Sequence, residues 1–227
     1  MEVDIRWKHP TSLYLVGPSG SGKTYLLDKI LANKDELFMV KGGKIIKNVI
    51  LCYAAWQDYY DNWIGKRLVN KTYMGFPNLE SIEENAKKFR DFGGTLLLLD
   101  DLAPQMGLKD ITALQTILSV ISHHQNLSVV YIGHNIFHKN MRECSLQFHK
   151  YLLTNNFRDQ NQISYLGKQM YPENARFIPA VYKDVLKTAY NNLLLDFSPY
   201  IDPSMRVTAS WFNKDRPIDV YKPSDLL

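Results

Sequence analysis

The octapeptide Gly17-Pro18-Ser19-Gly20-Ser21-Gly22-Lys23-Thr24 follows directly on the apolar run Leu13 to Val16. Strand, glycine-rich loop and Lys-Thr in that order are suited to binding phosphate. Gly17, Gly20 and Gly22 let the backbone curl with its N–H groups inward, so that these donors and the start of the next helix converge on the oxygens of a nucleoside triphosphate. Pro18, Ser19 and Ser21 complete the cradle, Lys23 reaches the β and γ phosphates, and the Thr24 hydroxyl serves Mg²⁺. The pattern is a Walker A motif, and its expected ligand is ATP or GTP with Mg²⁺.

A second acidic motif fits the same chemistry. Leu96-Leu97-Leu98-Leu99-Asp100-Asp101 has the form of a Walker B motif, a buried strand that delivers a carboxylate to the end of the sheet where ligands bind. Asp100 is expected to hold Mg²⁺ and Asp101 to orient the water that attacks the γ phosphate. An N-cap or turn role for Asp101 is the alternative. A further apolar run ends in His134 and Asn135, where a polar side chain would contact the γ phosphate or the water; a plain strand-ending turn is the other reading.

These groups need a scaffold, and the hydrophobic pattern supplies one. Ser12 to Val16, Asn48 to Ala54, Thr95 to Leu99 and Ser128 to Ile132 read as buried strands. Tyr151 to Thr154 and Leu193 to Phe197 read as two more. Helical spacing runs through Thr24 to Ala32, Leu79 to Phe92, Ile111 to Ile121, Gln160 to Gln169 and Phe177 to Lys187. Alternation of strand and helix predicts an α/β fold, a P-loop NTPase with a mainly parallel sheet flanked by helices. The extra strand, and an acidic residue after the Walker B aspartate, point to the additional-strand ATPases. Residues 1–199 are expected to form the ATPase domain. Residues 200–227 form a tail that packs on it or on a neighbouring subunit.

Composition narrows the setting. The chain has 227 residues, 45% hydrophobic and 22% charged, with a formal net charge of +4, and no apolar stretch approaches the roughly 20 residues of a membrane span. The first residues lack the apolar core of a secretory signal. Two cysteines, Cys52 and Cys144, are too few for a disulfide framework and lack metal-site spacing, which fits a reducing, intracellular compartment. The mild basicity suits a polyanionic partner without establishing one. His123, His124, His134, His138 and His149 do not form a zinc pattern. Tyr59, Tyr60 and Trp63 recur like one face of a helix, as core or interface.

The residues beyond the fourth strand carry a more specific likeness. His134-Asn135-Ile136-Phe137-His138-Lys139, Arg142-Glu143-Cys144-Ser145-Leu146, Asn156-Phe157-Arg158-Asp159 and Lys168-Gln169-Met170-Tyr171-Pro172, taken with both Walker motifs, form a recognisable set. From about Leu13 to Phe197 the chain resembles the genome-packaging ATPases of the FtsK/HerA superfamily from Polinton/Maverick elements, adintoviruses and poxvirus-type viruses. The Asp-Asp ending resembles these viral members, and His134 stands where the family usually has Gln while Asn135 keeps its place.

The resemblance implies a homo-oligomeric ring that hydrolyses ATP and drives double-stranded DNA into a capsid, with a capsid or portal protein as partner and no membrane. Its place would be the host nucleus or cytoplasm, at sites of virion assembly. It also implies Asn135 as sensor and an arginine acting across the subunit interface, with Arg142 as first candidate and Arg158 as second. A sequence-indifferent motor grips phosphates with basic groups, for which Lys41, Lys44, Lys66, Arg67 and Lys168 are candidates. A protein-remodelling or helicase-loading ATPase would share every Walker residue, and a nucleotide-gated assembly module with little turnover would share most. A small-molecule kinase fits less well, since no second-substrate pocket can be read.

Overall fold

The structure, a computed structural model, describes residues 4–137, 141–213 and 216–223. Short pieces come first: β1 (Trp7–Lys8) pairs in parallel with β3 (Phe38–Met39), bringing Trp7 against Phe38. The main sheet is built from β2 (Ser12–Val16), β4 (Asn48–Tyr53), β5 (Lys71–Met74), β6 (Thr95–Asp100), β7 (Leu127–Gly133), β8 (Lys150–Leu153), β9 (Leu193–Asp196), β10 (Val207–Ala209) and β11 (Asp219–Val220). Among the described residues its order is β11-β10-β9-β8-β2-β7-β6-β4-β5. The block from β8 to β5 is parallel throughout, and β9, β10 and β11 each run antiparallel to the strand before.

The apolar runs become strands because both faces of the sheet are covered. Leu13 and Leu15 of β2 face one core with Leu26, Leu27, Ile30 and Leu31; Tyr14 and Val16 face the other with Leu97, Leu99, Val129 and Tyr131. The first core lies under α1 (Lys23–Ala32), α2 (Lys34–Leu37) and α3 (Asp58–Gly65). The second lies under α4 (Leu79–Phe89), α5 (Leu108–Thr116) and the π turn Ile117–Ile121 that continues α5 into α6 (Ser122–His124). It also lies under α7 (Arg142–Ser145), α8 (Gln160–Met170) and α9 (Phe177–Val185). Every residue of β2, β6, β7, β8 and β9 is buried, as a sheet covered on both sides requires.

The topology decides what can meet the phosphate loop. β7 lies between β2, which feeds the loop, and β6, which ends in Asp100. The strand that the sequence places between the two Walker motifs, Asn48 to Ala54, is β4, which lies on the far side of β6. The carboxyl ends of β2, β4, β6, β7 and β8 therefore form one edge, where open α/β sheets bind ligands. The tail extends the sheet at its far side, with Val207–Ala209 paired to Leu193–Leu195, and Trp211 packs on Trp7 with ring centroids 5.5 Å apart.

Candidate functional site: the phosphate loop and its acidic edge

The loop between β2 and α1 is held from below. Thr154, just past β8, gives its hydroxyl to Ser21 Oγ at 2.6 Å, and its N–H donates to the Val16 carbonyl at 2.9 Å. Gly17 lies so close to this threonine that a Cβ on it would fall 1.7 Å from Thr154 Oγ1, so the position admits only glycine. Gly22 caps α1 with φ of 95°, a conformation that L side chains rarely adopt. No side chain caps that helix start and its first turn holds no acid, which leaves its N–H groups directed at an anion.

Around the loop lies a cavity of about 470 Å³. Ser19, Gly20, Gly22, Lys23 and Thr24 form one wall, and Asp100, Asp101 and His134 form another. The Lys23 ammonium donates to the carbonyls of Gly17 and Pro18 at 2.7 and 2.9 Å. Burial lowers its pKa, an effect opposed by Asp101 and Asp100. Ser21 and Pro18 close the turn through Ser21 N–H to the Pro18 carbonyl.

The adjacent aspartates occupy opposite environments. Asp100 is buried at 8% exposure and its Oδ2 accepts from the Tyr60 hydroxyl at 2.6 Å and the Tyr59 hydroxyl at 3.1 Å. Burial raises its pKa, and the two phenol donors pull it back. Asp101 turns outward in the left-handed region, φ 57°, and its Oδ1 meets His134 Nε2 at 2.7 Å, both side chains being substantially exposed. Strain of this kind in a non-glycine residue is characteristic of functional sites. One carboxylate is thus fixed in place, and the other faces the cavity beside a histidine.

The residues present fit a magnesium ion. Thr24 and Asp100 offer oxygen only, the donor set that Mg²⁺ prefers. The Tyr59 hydroxyl donates to Asp100 Oδ2 at 3.1 Å, and its own pKa is pushed up to about 12, chiefly by burial and then by the charge of Asp100. Thr24, Tyr59 and Asp100 line the same cavity.

The other expected residues scatter. Asn135 is exposed and outside the cavity lining; its carbonyl accepts from the Tyr14 hydroxyl. Arg142 opens α7, and Arg158 follows β8 with its N–H on Asn156 Oδ1 at 3.1 Å. Both arginines are exposed and, among the described residues, neither forms an ion pair within the chain. Lys41, Lys44, Lys66 and Arg67 are exposed on segments that lead into the amino ends of β4 and β5, away from the loop, and Lys168 is exposed on α8. His138 and Lys139 lie outside the described residues, and no histidine cluster that could hold a metal occurs among the described ones.

Sequence reasoning read Tyr59 and Tyr60 as core or interface and missed their hydroxyls. The available signal was position: α3 opens just beyond β4, whose last residue Tyr53 is level with Asp100 of the neighbouring strand.

Sheet order, loop and acidic edge together define the fold of a P-loop NTPase. Solved structures agree. The genome packaging NTPase B204 from Sulfolobus turreted icosahedral virus 2, in complex with sulfate, superposes with a TM-score of 0.55 at 17% identity, over 94% of this chain and 96% of that one. The same protein in complex with ATP-gammaS gives 0.53 at 17% identity, over 94% and 97%. At this identity the likeness concerns the fold. No protein-family model and no curated protein matches the sequence.

Proposed function

We propose that this protein is an ATP-driven motor that moves double-stranded DNA into a viral or virus-like capsid, working as a homo-oligomeric ring of the FtsK/HerA packaging type found in Polinton/Maverick, adintovirus and poxvirus-type elements. The observation that carries the ATPase part is the pairing of exposed Asp101 with His134 at 2.7 Å, opposite Lys23 in one cavity. A carboxylate there can hold a water in line with the terminal phosphate, and positioning with charge stabilisation is most of what phosphoryl transfer needs. Lys23 neutralises the β and γ phosphates. Thr24 and Asp100 hold Mg²⁺, which draws charge from the phosphate oxygens. His134 keeps Asp101 oriented, and Asn135, the sensor of the resemblance, stands at the same strand end but outside this cavity.

The packaging part is supported by the sequence words beyond β7 and by a neighbour of the same fold that is itself a genome packaging NTPase. On this reading Arg142, or else Arg158, acts in the site of the adjoining subunit, where such an arginine is worth roughly 10³ to 10⁵ in rate. Exposed basic residues grip DNA phosphates without reading bases, and a capsid or portal protein anchors the ring. Its setting is the host nucleus or cytoplasm during virion assembly. No helix among the described residues is long and apolar enough to cross a membrane.

The test is steady-state phosphate release with Mg²⁺ and ATP, with and without long double-stranded DNA, at two salt concentrations. DNA stimulation that fades with salt is expected. Lys23→Ala is expected to abolish release, a loss of at least about 10²; unchanged turnover would remove the site assignment. Hydrolysis indifferent to DNA would favour a protein-remodelling ATPase.

A further inference from the structure

The phosphate cavity accounts for only one side of the loop. On the other side lies a second cavity of about 490 Å³, lined by Gly22, Tyr25, Tyr190, Asn191, Trp211 and Phe212 among others. Gly22 belongs to both, so the two spaces adjoin at the loop. Their chemistry differs. Lys23, Asp100, Asp101 and His134 all line the first; the second is lined by aromatic rings and asparagines and by no charged residue.

This second cavity is built by the tail that the sequence leaves unassigned. The turn at Ser210–Asn213 after β10 is bolted to residues 189–192 before β9. Asn192 Nδ2 donates to the Trp211 carbonyl at 2.9 Å, the Trp211 N–H returns to Asn192 Oδ1 at 3.1 Å, and Asn191 Nδ2 donates to Ser210 Oγ at 3.2 Å. The Ser210 N–H adds a bond to the Asn192 carbonyl at 3.1 Å. Asn191, Asn192, Ser210 and Trp211 are all buried. Tyr190, Ser210 and Phe212 sit in the left-handed region at φ of 55°, 63° and 63°, so three non-glycine residues in these two turns hold a conformation that surrounding bonds must enforce.

What the bolt presents is an aromatic ring beside the loop. Tyr190 is 71% exposed and Tyr25, next to Thr24, is 50% exposed. A Cβ on Gly22 would lie 3.5 Å from Tyr190 Cδ1, which puts the ring in contact range of the loop backbone. A triphosphate whose terminal phosphate faces Asp101 must leave the loop at its other end, over Gly22 and the first turn of α1. Beyond that exit lies the second cavity.

We propose that the second cavity is the base and ribose subsite of the nucleotide, with the base stacked on the Tyr190 ring and flanked by Tyr25 and Phe212. The proposal rests on the nucleotide-binding reading above and gives the tail a role in it, because Phe212 comes from the tail and the buried amides of Asn191 and Asn192 fix the Ser210–Trp211 turn that carries it. Stacking on an aromatic face suits any flat heterocycle and requires no side-chain amide in the cavity.

The experiment compares ATP with inorganic tripolyphosphate, each with Mg²⁺, by calorimetric titration of the full chain and of Tyr190→Ala, Tyr25→Ala and the double variant. Tyr25→Ala alters an exposed helix position, so it keeps the test open should Tyr190→Ala fail to fold. The expected result for the double variant is about a 10-fold weaker ATP affinity with tripolyphosphate within twofold of the parent. Unchanged ATP affinity overturns the subsite, as does an equal loss for both probes, which would mean that the tyrosines only shape the loop. Lys23→Ala separates the two readings: it should lose both probes, and its retaining both would remove the phosphate site while the tyrosine variants report on the cavity alone.

Discussion

The two ends of the parallel strands use the same residue types for opposite purposes. At the carboxyl end Asp101 and His134 pair while substantially exposed. At the amino end His9, Thr11, Ser12, Asn48, Thr95 and Ser128 are all buried, and several bond to one another while Ser12 bonds to Gln147 and His149. His9 Nδ1 meets Ser128 Oγ at 2.7 Å, the Thr11 N–H donates to the same oxygen at 2.9 Å, and Asn48 Nδ2 reaches Thr95 Oγ1 at 3.2 Å. A buried polar group is usually satisfied by its neighbours, and these bonds tie strands together at the amino end, although His9 Nε2 and Thr11 Oγ1 are buried without a partner among the described residues. Groups at the carboxyl end keep capacity in reserve for a ligand. Histidine therefore signals function here only through its exposure and partner.

The comparison is broken most sharply at Asp101. Asp101→Asn keeps the shape and removes the charge, so hydrolysis is expected to fall by about 10² to 10⁴ while nucleotide affinity and the thermal midpoint stay near the parent values. Loss of nucleotide binding in that variant would instead make Asp101 a metal or structural residue. The converse test is His9, where chemistry should be untouched and stability should respond. Burial holds the His9 pKa down at about 4 against an ordinary 6.5, partly offset by the backbone of Asn126. The folded protein thus binds fewer protons than the unfolded chain between these values. The His9 contribution is complete above pH 6.5 and is lost as pH falls toward 4, about 3 kcal/mol in all. Urea unfolding at pH 7.5 and pH 5 should show this slope, and His9→Asn, which keeps a polar atom near Nδ1, should flatten it.

How much of this was legible follows from the range of the forces involved. β2, β4, β6 and β7 announce themselves as apolar runs because both faces are covered, and the loop is read from spacing because glycine, lysine and threonine act within one turn of chain. β5 was invisible: Lys71–Met74 is an edge strand with exposed ends and no apolar run. β10 and β11 are short and owe their strand form to the bonds of their neighbours. Asn135 and His134 follow one another, yet only His134 lines the cavity, and sequence alone gives no sign of which side chain turns in. The amide bolt between Asn192 and Trp211 joins positions 19 apart, and no local pattern predicts it.

The finest distinction lies within the acidic edge, between two tyrosines on one carboxylate. Tyr60 is buried and donates to Asp100 Oδ2 at 2.6 Å; half-buried Tyr59 donates at 3.1 Å. Both bonds favour the charged form of Asp100 against the burial that opposes it. A hydrogen bond to a charged group contributes about 1.5 kcal/mol or more, and a longer, wetter one nearer 1 kcal/mol. Tyr60→Phe should therefore raise the Mg²⁺ concentration for half-maximal hydrolysis by about 10-fold and Tyr59→Phe by about 5-fold, with nucleotide affinity in the absence of Mg²⁺ unchanged. Equal responses would mean that the two phenols act as one network. A response in Mg²⁺-free binding would mean that they support the cavity wall and not the carboxylate, since among the described residues Asp100 is the charged group to which both hydroxyls bond.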